Sequence, residues 1–482
     1  MKKSFEVLPQ KDRKKILLIC DDIRVHSGVA TVAKEIVIKT CHHFNWVNLG
    51  GAISHPDKGK KLDLAKESNE HNPHNIKDAY VCIYPVDGYG NIEIIRQVIN
   101  IEKPDAIMLI TDPRYFSWLF NNEHEIRKNI PIAYLNIWDD YPAPMYNSAF
   151  YEACDLLMGI SKQTKNINQL VLGDKAKDRI FRYVPHGLDH NVYKPLDNND
   201  AEYKAFKKQL FPNQDPKFVV FFNSRNIRRK MIPDTLLAFR HFLDQLPENE
   251  AKDCKIVLHT EAVTEAGTDL PAVAEYFLGE SYGTNVVFSH SKLTQHQLNY
   301  LYNIADVQVL ATSNEGWGLT ITEAILAGTP IIANVTGGMQ DQMRFENDKG
   351  EWIDFDAEFP SNHRGTYKKH GRWAEPVFPS NLSLAGSPMT PYIFDDRCSP
   401  EDAAEALKKV YDLGEKERRK RGLEAREWCM SDEAQMTSDA MCENVVKNID
   451  ETFETFEPRP SFEIHKAGPR PSKFVKHKIT GY

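Results

Sequence analysis

Short apolar runs bounded by turn residues alternate with longer amphipathic stretches along this chain, and the alternation occurs twice. That is the signature of β-α-β units on a mostly parallel sheet. In the first series, residues 15–20 read as a buried strand and 27–36 as a turn entering a helix. Further strands are expected at 79–84, 106–110, 132–136 and 156–160, with helices near 92–101 and 162–171. A polar stretch over 196–216 reads as a linker. The second series opens with the continuous apolar run 218–222, typical of a strand buried on both faces. Strands near 255–259, 285–289, 307–311 and 331–334 follow, with a helix at 320–327. The fold class is therefore α/β, with two doubly wound domains, 1–195 and 217–431. Ligands on open parallel sheets bind beyond the carboxyl ends of the strands, so a crevice between the two domains is the expected site.

Two segments break the pattern. Residues 346–399 form an irregular insert rich in Pro, aromatic and charged residues, including Trp352, Trp373, Pro376, Pro379, Pro388 and Pro391. An irregular stretch of that length is expected to act as a lid or binding element. Over 457–482 the chain becomes a basic, proline-containing tail, and from Pro458 onward Arg459, Lys466, Arg470, Lys473, Lys476 and Lys478 face Glu463 alone. The tail offers a local contact to a polyanion at 458–482.

Composition narrows the class. The 482 residues are 41% hydrophobic and 27% charged, with 60 Lys+Arg against 68 Asp+Glu for a net −8, which excludes a surface built throughout for nucleic acid or acidic lipid. The eight cysteines show neither a C-x-x-C pair nor zinc-like spacing and are expected as reduced, buried thiols. With neither a signal-peptide pattern nor an apolar run of about 20 residues, the expectation is a cytoplasmic protein without a transmembrane segment.

The most informative stretch is Ser313-Asn314-Glu315-Gly316-Trp317-Gly318-Leu319-Thr320-Ile321-Thr322-Glu323, which follows the predicted strand 307–311. Gly316 and Gly318 allow the backbone to approach a ligand, and the free N–H groups of the next helix favour an anion. Glu315 and Glu323 flank that anion site, and ionised carboxylates accept hydrogen bonds from hydroxyls. The ligand this pattern suits joins a phosphate to a polyol. After the strand 218–222, Arg225 offers a planar fork to phosphate oxygens and Lys230 a mobile point charge; Arg228 and Arg229 receive no role.

Glu315 and Glu323, with seven residues between them and Gly-x-Gly inside, resemble the Glu-x7-Glu motif of retaining GT-B glycosyltransferases, especially glycosyltransferase family 4. The continuation from Glu323 to Ala333, the pair Gly337-Gly338 and the Arg225…Lys230 loop fit the same resemblance. So do Ser27-Gly28, with one glycine where two are common, and residues 184–189, where His186 replaces the usual Asn.

The resemblance implies a GT-B fold, two Rossmann-like domains facing across a cleft with the first completed by a C-terminal helix at 432–456, and a retaining transfer of a hexosyl or pentosyl group from a nucleotide diphosphate sugar to an acceptor. It implies that Arg225 and Lys230 stabilise the departing diphosphate. Glu323 would hold the ribose, while Glu315 and the backbone at Gly316, Trp317, Gly318, Leu319 and Thr320 would hold the donor sugar near Gly28. Many members carry a His after the strand at 132–136. This chain instead has Trp138-Asp139-Asp140, making Asp139 the candidate at that place, with Asp140 and Asp112 behind it.

Asp354-Phe355-Asp356 has the form of a metal-binding Asp-x-Asp, but it lies in the insert rather than after a nucleotide-binding strand, and no metal or cofactor is expected. The acceptor stays open between a glycan, a lipid, a protein and a modified DNA base of the kind some phages glycosylate. A nucleotide-sugar epimerase and a non-catalytic glycan- or nucleotide-binding protein are the rival readings.

Overall fold

The computed structural model describes residues 6–460 apart from 198, 213, 290 and 291. The part of the basic tail beyond residue 460 lies outside the described residues. The chain divides into two compact units, one made of residues up to 186, 355–360 and those from 438 on, the other of 187–354 and 361–437.

The first unit holds an eight-stranded sheet. Its strands are β1 (Lys14–Asp21), β2 (Phe44–Gly51), β3 (Leu62–Asp63), β4 (Val81–Pro85), β5 (Ala106–Ile110), β6 (Ile132–Asn136), β7 (Leu156–Gly159) and β8 (Ile180–Tyr183). Their order is β3-β4-β2-β1-β5-β6-β7-β8, with only β3 antiparallel. In β1 every side chain from Ile16 to Asp21 is buried, as a strand covered on both faces requires. The helix Gly28–Thr40 begins where Ser27 Oγ accepts the Ala30 N–H at 3.0 Å, a serine cap. The helix Ser438–Thr455 packs on it, burying Met441, Cys442, Val445, Val446 and Ile449. Lys39 pairs with Asp439 (2.7 Å) between the two helices, and His43, in the turn after the first, pairs with Asp450 (3.0 Å). Arg459, counted with the basic tail, pairs with Glu123 and donates its backbone N–H to Arg127 O at 2.8 Å.

The second unit holds β9 (Phe218–Asn223), β10 (Cys254–His259), β11 (Val286–Ser289), β12 (Val307–Leu310), β13 (Ile331–Asn334) and β14 (Ala374–Val377) in the all-parallel order β11-β10-β9-β12-β13-β14. Strand order reverses between β9 and β12, and that reversal creates the crevice where ligands of doubly wound sheets bind.

The segments set aside in the sequence are more regular than expected. The linker 196–216 contains the helix Ala201–Leu210, capped by Asp200. The insert 346–399 supplies β14 to the sheet edge and an antiparallel ribbon of β15 (Asn381–Ala385) and β16 (Ile393–Arg397). All eight cysteines are buried and none forms a disulfide. Among the described residues, no helix is long and apolar enough to cross a membrane.

Candidate functional site

The second unit concentrates chemistry at the carboxyl ends of β9 and β12. The loop after β9 is fixed by Asn226, which is buried. Its Nδ2 donates to Thr268 O (2.7 Å) and Glu261 O (3.1 Å), and its carbonyl accepts from Thr264 Oγ1 at 2.6 Å. Gly267 permits that contact, since a Cβ there would lie 2.0 Å from Asn226 Oδ1.

Beyond this anchor the basic residues separate. Arg225 and Arg228 are exposed, and neither side chain is paired among the described residues. Lys230 is buried and forms an ion pair with Glu315 Oε2. Arg229 Nη1 reaches the same oxygen at 3.0 Å and Asn314 O at 2.6 Å. Burial pushes the Glu315 carboxyl up, but the Lys230 ammonium and Arg229 guanidinium outweigh it and hold the group down at about 2.

The loop after β12 passes Gly316 and Gly318 into the helix Leu319–Ala327, with Gly318 at φ 84° as its cap. A Cβ on Gly338 would sit 2.4 Å from Gly316 O, so the glycine pair 337–338 lets the two loops touch backbone to backbone. The helix's first-turn amides, at Leu319 and Thr320, have no intrahelical acceptor. Trp317 is only 2% exposed, and its Nε1 donates to Thr322 Oγ1 at 2.9 Å. Its indole packs the loop, so what it can offer a ligand is its backbone.

One helical turn on, Glu323 accepts from Tyr193 Oη at 3.1 Å and from Tyr302 Oη, with Asn223 Nδ2 at 3.5 Å. Burial raises its carboxyl to about 7, against the two tyrosine hydroxyls, which lower it. Two glutamates on one loop-helix turn are thus driven apart, one firmly anionic and the other poised near neutrality. Such splitting marks functional clefts.

The ribbon β15–β16 buttresses this loop. The Asp396 N–H donates to Ser313 O at 2.9 Å, and Asp395 Oδ1 accepts from Ser313 Oγ and Asn314 Nδ2, each at 3.3 Å. Asn334, at the end of β13, donates to Thr312 O (2.9 Å) and Asp396 O (2.6 Å).

The remaining candidates lie in the first unit or at its margin. Gly28 is the first residue of the helix after β1, beside Ser27, whose hydroxyl donates to Asp21 Oδ2 at 2.5 Å. Tyr89 Oη donates to the other oxygen of Asp21 at 2.8 Å. Asp112 is forked by Arg114, with Nε at 2.7 Å. Asp140 is buried and spends Oδ1 on Tyr141 N (2.7 Å) and Gln163 Nε2 (3.0 Å), which fix the turn. Asp139 is half-buried beside it, and its carbonyl accepts from Gln163 Nε2 at 3.3 Å. Burial drives the His186 ring down to about 3. Of the Asp-x-Asp tripeptide, Asp356 Oδ1 accepts the N–H groups of Glu358 and Phe359, both at 2.8 Å, and so closes a turn.

Sequence reasoning passed over Tyr193, Tyr302, Asn223 and Asn226, and left Arg229 without a role. Only Arg229 carried a signal, its place beside Lys230.

Comparison with known proteins bears on the same region. Residues 203–358 match the family model described as Glycosyl transferases group 1. That span contains Lys230, Arg229, Glu315 and Glu323. Over 187 residues the chain is 26% identical to the D-inositol 3-phosphate glycosyltransferase of Corynebacterium jeikeium (strain K411), covering 38% of this chain and 42% of the relative. The chain thus spans less than half the length of that curated relative. Sucrose-phosphate synthase from Thermosynechococcus elongatus superposes with a TM-score of 0.62 at 15% identity, over 92% of this chain and 100% of that one. The Anabaena protein HepE, solved in complex with UDP and glucose, gives 0.60 at 13% identity over 91% and 100%. The fold is the α/β architecture of GT-B glycosyltransferases, with two Rossmann-like units.

Proposed function

We propose that this chain is a retaining glycosyltransferase that takes a sugar from a nucleotide diphosphate sugar, with the donor bound in the second unit and the acceptor on the first. The observation that carries the reading is the convergence, at the strand reversal between β9 and β12, of buried Lys230, an open helix N-terminus, anionic Glu315 and Glu323. HepE, of the same fold, is described in complex with UDP and glucose.

In this reading the diphosphate lies against the first-turn amides of the helix Leu319–Ala327, with Lys230 and the exposed Arg225 as counter-charges. Charge develops on the leaving phosphate as the glycosidic bond breaks, and cations already aimed at it stabilise that state more than the ground state. Glu323 accepts the ribose hydroxyls, and Glu315 with the backbone of residues 316–320 holds the sugar. Front-face attack, with the leaving phosphate helping to take the acceptor's proton, needs no separate side-chain base, and Asp139 is the residue to test for such a role. The amides and cations supply the charge balance, so the reading invokes no metal.

The test is a thermal-shift screen of UDP-, GDP- and ADP-sugars on the wild type, Lys230→Ala and Glu323→Ala, with product analysis of any hit. The expected result is a donor that stabilises the wild type but neither variant and slowly yields free sugar and nucleoside diphosphate, the released anomer reporting retention. Equal shifts in all three proteins, or none, would sink the donor-site assignment. An isomerised nucleotide sugar formed without an acceptor would make the protein an epimerase.

A further inference from the structure

Two cations share one oxygen in the second unit. Lys230 Nζ and Arg229 Nη1 both contact Glu315 Oε2, so a ligand that draws Lys230 away leaves Arg229 behind. The two are held differently. The Arg229 carbonyl accepts from Ser313 N and Thr312 Oγ1, both at 2.9 Å, while its guanidinium donates to Asn314 O at 2.6 Å. Backbone and side chain together thus tie Arg229 to the loop that carries Glu315. Lys230 ends a flexible stem and can swing its ammonium toward an anion.

A buried carboxylate that loses its only counter-charge either takes a proton or moves toward water. Whatever binds phosphate through Lys230 would therefore undo Glu315 unless a second cation stayed. We infer that Arg229 is a positioning residue: it keeps Glu315 ionised and in place when Lys230 turns to the donor diphosphate. The inference rests on the donor-site reading above and extends it to a residue outside the Arg225…Lys230 pair.

The charged groups around Glu315 are consistent with this division. On the loop after β9 they are Arg229 and Lys230, with Arg225 and Arg228 exposed. On the helix after β12, Glu323 is engaged by Tyr193 and Tyr302. On the ribbon, Asp395 is bound to Ser313 and Asn314 and pairs with Arg397 at 3.6 Å, and the buried Asp396 donates its N–H to Ser313 O at 2.9 Å. The helix Met339–Met343, whose Gln342 Nε2 donates to Trp317 O at 2.7 Å, carries one charged residue, the buried Asp341.

The experiment measures the dissociation constant of the full chain for UDP-glucose, or for GDP- or ADP-glucose if that is what the wild type binds, from pH 5 to 8. It compares the wild type, Lys230→Ala, Arg229→Met, Arg229→Lys, Glu315→Gln and the Arg229→Met/Glu315→Gln double variant. Arg229→Met is expected to weaken binding about tenfold at pH 7.5, with the ratio to wild type widening as pH falls and Glu315 gains a proton. Taking the ratio cancels the titration of Glu323. Arg229→Lys should recover most of the loss, because an ammonium can supply the positive charge that Arg229 Nη1 brings to Glu315 Oε2. In the Glu315→Gln background, Arg229→Met should change little, since the two residues act as one unit.

A merely structural role would produce neither the pH-dependent ratio nor the coupling to Glu315. If Lys230→Ala loses binding while Arg229→Met binds as the wild type across the range, the inference is overturned and the donor site stands. Additive effects of the two substitutions overturn it equally. No binding of any donor by the wild type overturns both.

Discussion

Glu315 and Glu323 are the same side chain in the same loop-helix turn, and their surroundings give them opposite tendencies. Cations hold Glu315 at about 2. Burial among tyrosine rings lifts Glu323 from its ordinary 4.5 to about 7. The sign of the stability effect follows for each. A raised folded-state carboxyl means that, above pH 4.5, the unfolded chain ionises while the folded one stays protonated, so stability falls as pH rises until about 7 and then levels. The full loss is at most about 3 kcal/mol at 1.36 kcal/mol per unit. For Glu315 the contribution is present above 4.5 and is lost as pH falls toward about 2. Urea unfolding at pH 5 and pH 8 should therefore show Glu323→Gln gaining on the wild type at the higher pH. A constant difference between the two proteins would mean that Glu323 titrates normally. The glutamates themselves were legible from spacing. Their divergence was not, because Tyr193 and Tyr302 arrive from distant elements and leave no local mark.

Elements whose strands are continuous apolar runs were legible almost to the residue: 106–110, 132–136 and 331–334 coincide with β5, β6 and β13. The missed strands hide polar residues in the sheet. In β2, Asn48 is buried and donates to Leu18 O at 3.2 Å, so its polarity is satisfied inside the sheet rather than in water. In β14, Glu375 and Pro376 break the apolar run, and a proline that cannot donate to a ladder is tolerated because the strand lies at the sheet edge. The insert's lack of periodicity reads as an irregular lid or binding element, and in the structure its ribbon braces the loop that bears Glu315. Asp395→Ala removes the acceptor for Ser313 Oγ and Asn314 Nδ2. Amide hydrogen exchange over 313–318 should speed up about tenfold while the β9 and β12 amides stay protected, since local opening costs less than global unfolding. Unchanged exchange in that loop would show that the ribbon lies beside it without supporting it.

For the whole molecule, the chain's order and its packing disagree at the C-terminus. The helix Ser438–Thr455 is the last helix of the described chain yet belongs to the unit that begins it, covering the helix Gly28–Thr40. Met441, Val445, Val446 and Ile449 are all at most 2% exposed there. At about 1.5–3 kcal/mol for each buried apolar side chain, their loss would rival the 5–15 kcal/mol that typically keeps a domain folded. A chain stopped after residue 437 should therefore lose the cooperative unfolding of the first unit and expose apolar surface to a hydrophobic dye. A chain stopped after residue 460 keeps the helix and its pairs to Lys39 and His43 and should behave as the full chain does. On the proposed donor site, binding separates the two units in the same experiment, because Lys230, Glu315 and Glu323 all lie in the second. The shorter chain should still respond to a nucleotide sugar even as its first unit melts. If it instead retains every transition of the full chain, the terminal helix contributes nothing to the first unit and its apolar face serves some other purpose.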